Sequence, residues 1–107
     1  MFGLLSKINN TTTADLAAQI RTKKNFGELI DVREPYEYNN GHIIGARNIP
    51  LAQISSCTLS VDKEYFIICQ SGMRSRKAYK ELSNKGYRVT NVIGGMAAWE
   101  GKVTRKK

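Results

Sequence analysis

The chain has 107 residues, 41% hydrophobic and 24% charged, the composition of one ordinary globular domain with a modest core. No stretch approaches the roughly 18 consecutive apolar residues of a membrane span, so no membrane partner is expected. Seventeen Lys and Arg against nine Asp and Glu leave a net charge of +8, which favours anionic substrates or acidic partners.

That charge does not imply nucleic-acid binding, which needs basic residues on one face interleaved with aromatic stacking platforms. The five tyrosines are scattered and form no such motif. Two cysteines, Cys57 and Cys69, with one histidine make no metal-ligand pattern, so neither metal nor other cofactor is expected. Met1-Phe2-Gly3-Leu4-Leu5 is too short for a secretory apolar region, and its nearby charge, Lys7, follows it. The chain is read as cytoplasmic, where a structural disulfide is not expected. Cys57, without a glycine or basic flank, reads as an inert thiol. The alternative is a resolving partner for Cys69.

Along the chain, short apolar runs alternate with helical patterns, which predicts an α/β domain with a mainly parallel sheet. Thr11-Thr12-Thr13 offers a cap for a helix that turns Leu16, Ala17 and Ile20 to the core. Residues 28–32 read as a short buried strand. Glu34 to Tyr38 follows as a brief helix, with Pro35 tolerated in its first turn. Gly41 punctuates the chain, and 46–49 is a short strand stopped by Pro50. Tyr65-Phe66-Ile67-Ile68 is the clearest strand, and Ser75 to Lys85 the clearest helix. In that helix Ala78, Tyr79 and Leu82 face inward, Arg76, Lys77, Lys80 and Lys85 are free for the outer face, and Gly86 suits the stop. Residues 87–93 alternate as a strand, Gly94-Gly95 turns, and a last short helix covers Met96 to Trp99. The core spans about 10–101, and the basic tail 102–107 reads as solvated and frayed.

Cys69 is the residue with chemistry in it. It ends the clearest strand, and the loop Gln70-Ser71-Gly72-Met73-Arg74-Ser75 carries the chain into the clearest helix. Ligands in open α/β sheets sit at the C-terminal ends of strands. Unpaired N–H groups and the positive end of a helix dipole favour a thiolate over a thiol, and the same groups cradle an anion. A buried structural cysteine is the competing reading, and its place at the turn argues against it. Arg74 lies at a helix start, where dipole logic prefers acids, so an anionic ligand explains it better than solvent does. The spacing is Cys-x4-Arg, one residue shorter than the Cys-x5-Arg of cysteine-dependent phosphatases, and Ile68 rather than histidine precedes the thiol. Phosphatase or arsenate reductase chemistry is disfavoured on that geometry.

The loop from Cys69 to Ser75 resembles the active-site loop of rhodanese-like sulfurtransferases. So do three flanking blocks in the family's order: Leu29 to Glu34, Gly41 to Pro50, and Gly94 to Trp99. The resemblance implies a central, mainly parallel five-stranded sheet flanked by helices. It implies that Cys69 carries sulfur as a persulfide and that Gln70, Ser71, Gly72, Met73, Arg74 and Ser75 form the substrate cradle. Arg74 would help to bind a small anionic donor such as thiosulfate. A thiol or a sulfur-carrier protein would accept the sulfur. Asp31, Arg33, Gly41, His42, Gly94, Gly95 and Trp99 match motifs that hold the fold and shape the pocket. His42 is not needed as a general base, since a thiolate needs none. Gln70 stands where many members carry arginine, which bears on thiosulfate affinity more than on persulfide chemistry. Two other readings remain: a relay module that takes persulfide from a protein partner, and a noncatalytic binding domain on the same fold.

Overall fold

The computed structural model describes residues 8–23 and 26–105. The Met1 to Leu5 run considered above as a leader lies outside them, as do Lys106 and Lys107. Ten elements follow in order: β1 (Asn10–Thr11), α1 (Thr13–Thr22), β2 (Glu28–Asp31), α2 (Pro35–Asn39), β3 (Arg47–Asn48), α3 (Leu51–Ile54), β4 (Glu64–Ile68), α4 (Met73–Asn84), β5 (Arg88–Val92) and α5 (Gly95–Ala98). The five strands make one sheet in the order β1-β5-β4-β2-β3, and every pairing is parallel. Among the described residues no helix is long and apolar enough to cross a membrane.

Strand periodicity builds two cores from one strand. On β4, Tyr65, Ile67 and the following Cys69 face a cluster with Ile54 of α3 and Ala78, Tyr79 and Leu82 of α4. Phe66 and Ile68 face the opposite layer, with Leu16 of α1, Val92 of β5 and the partly buried Met96 and Trp99. With both faces covered, β4 reads as a continuous apolar run, as central parallel strands do. The central position of β4 places Cys69 under the start of α4.

The helix starts follow their caps. Thr12 Oγ1 accepts from Asp15 N at 3.0 Å, and α1 runs from Thr13 as the threonine run predicts. Helix α4 begins two residues before the expected Ser75. Gly72 adopts a left-handed φ of +111° as its cap, so the loop closes into helix sooner. Arg74 therefore belongs to the helix's first turn. Strand β1 has two residues, too short for any periodicity to show, while β3 falls inside the strand expected over 46–49. The four-residue helix α3 lies where no helix is expected from the sequence.

The expectation of a frayed tail fails at Thr104. Its N–H donates to His42 O at 2.8 Å and its carbonyl accepts from His42 N at 2.9 Å, an isolated antiparallel bridge. The bridge satisfies both backbone groups of a buried residue, which binds the tail to the domain as far as Thr104.

Candidate active site

Cys69 lies at the C-terminal end of the central strand, 1% exposed. Its Sγ accepts a hydrogen bond from Gly72 N at 2.9 Å, and Ser75 Oγ lies 3.4 Å away. Ser75 Oγ in turn donates to Gly72 O at 3.1 Å, so the buried serine ties the loop's cap to the thiol. The N–H groups of Met73, Arg74 and Ser75 belong to the first turn of α4 and have no intrahelical acceptor, while Arg76 N is the first to close back, onto Gly72 O. Cys69 Sγ thus accepts one backbone N–H beside the positive end of a twelve-residue helix, a place suited to negative charge.

The loop is held from below by the Gly94-Gly95 turn. Met96 N donates to Cys69 O at 2.8 Å and Ala97 N to Gln70 O at 2.9 Å. A Cβ on Gly95 would fall 2.3 Å from Cys69 O, and its φ of +56° is itself left-handed. Only glycine lets the two backbones approach so closely. Trp99 packs into the second core and donates Nε1–H to Lys102 O at 3.1 Å. It packs with the core layer on the opposite face of the sheet from Cys69.

From the other side the loop is braced by β2. Asp31 and Arg33 form a buried pair: Nε donates to Oδ1 at 3.0 Å and Nη2 to Oδ2 at 2.8 Å. Arg33 also donates to Gly41 O at 2.8 Å and to Gln70 Oε1 at 3.3 Å. One guanidinium so joins three of the sequence blocks, and its charge stands beside position 70, where the side chain itself carries none. His42 is buried, its ring stacked on Tyr38 at 3.6 Å between centroids and its Nδ1 2.7 Å from Tyr38 O. It braces the helix α2 and the tail.

Arg74 has a partner that sequence reasoning missed. Its Nη1 and Nη2 donate to Glu37 Oε1 and Oε2 at 2.6 and 2.9 Å, a two-pronged pair across 37 positions. Glu37 also accepts from Glu34 N at 3.0 Å, which locks its rotamer at the start of α2. The bond from Arg74 is the main cause that lowers the Glu37 carboxyl from its usual 4.5 to about 2, against the opposing effect of burial. The same bond raises Arg74 above its usual value. The sequence signal was the position of a carboxylate in the first turn of a Pro-started helix, but nothing in it named the partner.

The sign of this coupling is testable. A carboxylate depressed in the folded state stabilises the protein fully above its unfolded value of about 4.5, and that stability fades as pH falls towards 2. Thermal midpoints of wild type and Glu37→Gln are expected to differ most above pH 4.5 and to converge on acidification. A gap that stayed constant from pH 7 to 2 would contradict the pairing.

An α/β domain built round a thiol in a backbone cradle is the class these features define. The chain belongs to the rhodanese-like domain family, whose match covers residues 12–102. It is 42% identical over 102 residues to YtwF of Bacillus subtilis, a protein provisionally named a sulfurtransferase, across 94% of this chain and 98% of that one. It is 40% identical over 77 residues to YrkF of the same organism, provisionally named a sulfur carrier protein. That match takes in 69% of this chain and less than half, 42%, of YrkF. The crystal structure of a rhodanese-like domain protein from Staphylococcus aureus superposes with a TM-score of 0.86 at 31% identity, over 94% of this chain and 100% of that one. Sulfur transfer is the general chemistry to which these relatives point.

Proposed function

We propose that the protein is a cytoplasmic sulfurtransferase that carries sulfane sulfur on Cys69. The Cys69 thiolate attacks the outer sulfur of a donor, the donor's S–S bond breaks, and its remaining part leaves with the electron pair: sulfite, if the donor is thiosulfate. A Cys69 persulfide remains. A second nucleophile then attacks the outer sulfur of that persulfide and releases the Cys69 thiolate: cyanide in the test tube, a thiol or carrier protein in the cell. The reading rests above all on the 2.9 Å contact from Gly72 N–H to Cys69 Sγ. In that place the cradle of Gln70 to Ser75 stabilises the charge on the persulfide and on the departing anion. One such preorganised donor typically contributes about 3 kcal/mol to a transition state. A reducing compartment fits a chain whose working group is a free thiol.

A second reading has one observation behind it. Arg74 is already paired with Glu37, and Gln70 is neutral, so a small dianion must compete for its guanidinium. That favours a relay which takes persulfide from a partner and uses thiosulfate poorly. Thiocyanate formation separates the two readings. Turnover with thiosulfate and cyanide supports direct donor use; a stable persulfide with negligible turnover supports the relay. In the first case Arg74→Gln is expected to raise the KM for thiosulfate about five- to tenfold, the usual weight of one charge-assisted contact, with the fold intact. Glu37→Gln should shift that KM the opposite way. Identical KM values in all three proteins would remove Arg74 from donor binding.

A further inference from the structure

We infer that the outer face of α4 docks an acidic protein, and that a cysteine of this partner takes the sulfur from Cys69. The inference rests on the persulfide reading above and gives the partner a surface and a charge. Met73, Arg76, Lys77 and Lys80 recur at i, i+3, i+4 and i+7, so they share one stripe of the helix. All four are exposed, and Met73, at 72%, is the most exposed large apolar side chain among the described residues. The opposite stripe, Ser75, Ala78, Tyr79 and Leu82, is buried. The outer stripe starts beside the thiol, because Gly72, the residue before Met73, donates to Cys69 Sγ.

These cations do nothing for the helix that bears them. The first turn of α4 holds no acid, although the positive end of a helix dipole favours acids and disfavours cations. Arg76 and Lys80 stand one turn apart as like charges, which weakens a helix further. Glu37 relieves Arg74, but Arg76, Lys77 and Lys80 form no salt bridge among the described residues. Glu81, the one acid of α4, lies beyond the end of the stripe. Cations held without an internal partner suit an anionic one from outside. Tyr36, 68% exposed, adjoins Glu37 in sequence as Met73 adjoins Arg74, so the Glu37–Arg74 pair brings both apolar side chains to the same end of the fold. An exposed aromatic and a methionine beside an arginine have the composition of a protein interface. From Met73 to Lys80 the stripe runs about 10 Å, the reach of a short peptide segment.

The transfer balances without an outside oxidant. The partner's thiolate attacks the outer sulfur of protonated Cys69–S–SH, and the bond between that sulfur and Cys69 Sγ breaks. The partner leaves as its own persulfide, and the electron pair returns to Cys69 as thiolate.

The probes are a short peptide with one cysteine among glutamates, and its twin with glutamine in place of every glutamate. Each discharges the sulfur-loaded protein, and the reaction is followed by mass. Comparing a variant with wild type for the same peptide cancels differences in thiol reactivity. Arg76→Gln/Lys80→Gln is expected to slow the acidic peptide about threefold or more at about 0.1 M salt, and the neutral twin less than twofold. At about 1 M salt the difference should close. The control, Arg21→Gln/Lys63→Gln, removes the same charge from exposed positions at the other end of the sheet, where α1 ends and β4 begins. It should slow the acidic peptide less than twofold, because charges more than about 10 Å away are screened at that salt. Equal slowing in both double variants would reduce the effect to net charge and overturn the inference, as would no slowing in either. Tighter binding of an oligouridylate than of the acidic peptide, lost in the α4 variant, would reassign the stripe to RNA. A fluorescent form of the acidic peptide, with serine for cysteine, reports docking on unloaded protein, and the α4 variant should bind it about threefold more weakly than wild type. If wild type loads no sulfur from any donor while that peptide still separates the variants, the persulfide reading falls and the docking surface stands.

Discussion

A Cys69→Ser protein is expected to keep its fold and lose sulfur transfer, by roughly 10⁴-fold or more, as enzymes do when a covalent nucleophile is removed. Serine is nearly the size of cysteine, and its oxygen can accept the N–H of Gly72 that now bonds Sγ. The cradle, the helix start and the Gly94-Gly95 support all remain. What is lost is a polarisable nucleophile able to form an S–S bond. Unfolding midpoints within a few degrees of wild type, together with no thiocyanate formation, would assign the loss to chemistry. Retained activity would place the reacting sulfur elsewhere, with Cys57 as the other free thiol.

The second large effect falls on stability. Arg33→Met should cost about 3–5 kcal/mol, because it leaves the Asp31 carboxylate buried without its cation. Asp31 is fully buried and Arg33 only 4% exposed, so water cannot take the place of the missing partner. The variant also loses the bonds to Gly41 O and Gln70 Oε1, which should loosen the loop that carries Cys69. In chemical unfolding the double variant Asp31→Leu/Arg33→Met is expected to lie closer to wild type than Arg33→Met alone, since it removes both charges. Single and double variants each within 1 kcal/mol of wild type would show that the pair does not brace the domain.

How much of this was legible in the chain depended on the range of each signal. Cys69 and the loop to Ser75 are contiguous, so an apolar run, a glycine and a helix pattern place the thiol at a strand end without any tertiary knowledge. The threonine cap of α1 and the inward stripe Ala78, Tyr79 and Leu82 of α4 are equally local. The rest depends on topology. Glu37 meets Arg74 because β2 and β4 are parallel neighbours whose following loops rise at the same end of the sheet. No periodicity encodes that meeting. Asn10–Thr11 shows no strand pattern, because two polar residues at an edge are held by the register with Asn91 and Val92 and not by their own propensity. Thr104 looked like part of a charged tail, since a single bridge to His42 leaves no trace in composition.

The central claim is that Cys69 carries the sulfur, and intact-protein mass spectrometry tests it most directly. Wild type and Cys69→Ser would each be incubated with thiosulfate and, separately, with a polysulfide donor. The account predicts a gain of one sulfur atom on wild type alone, removed by cyanide or by a reducing thiol. The same adduct on the serine variant, or none on wild type with either donor, would contradict it.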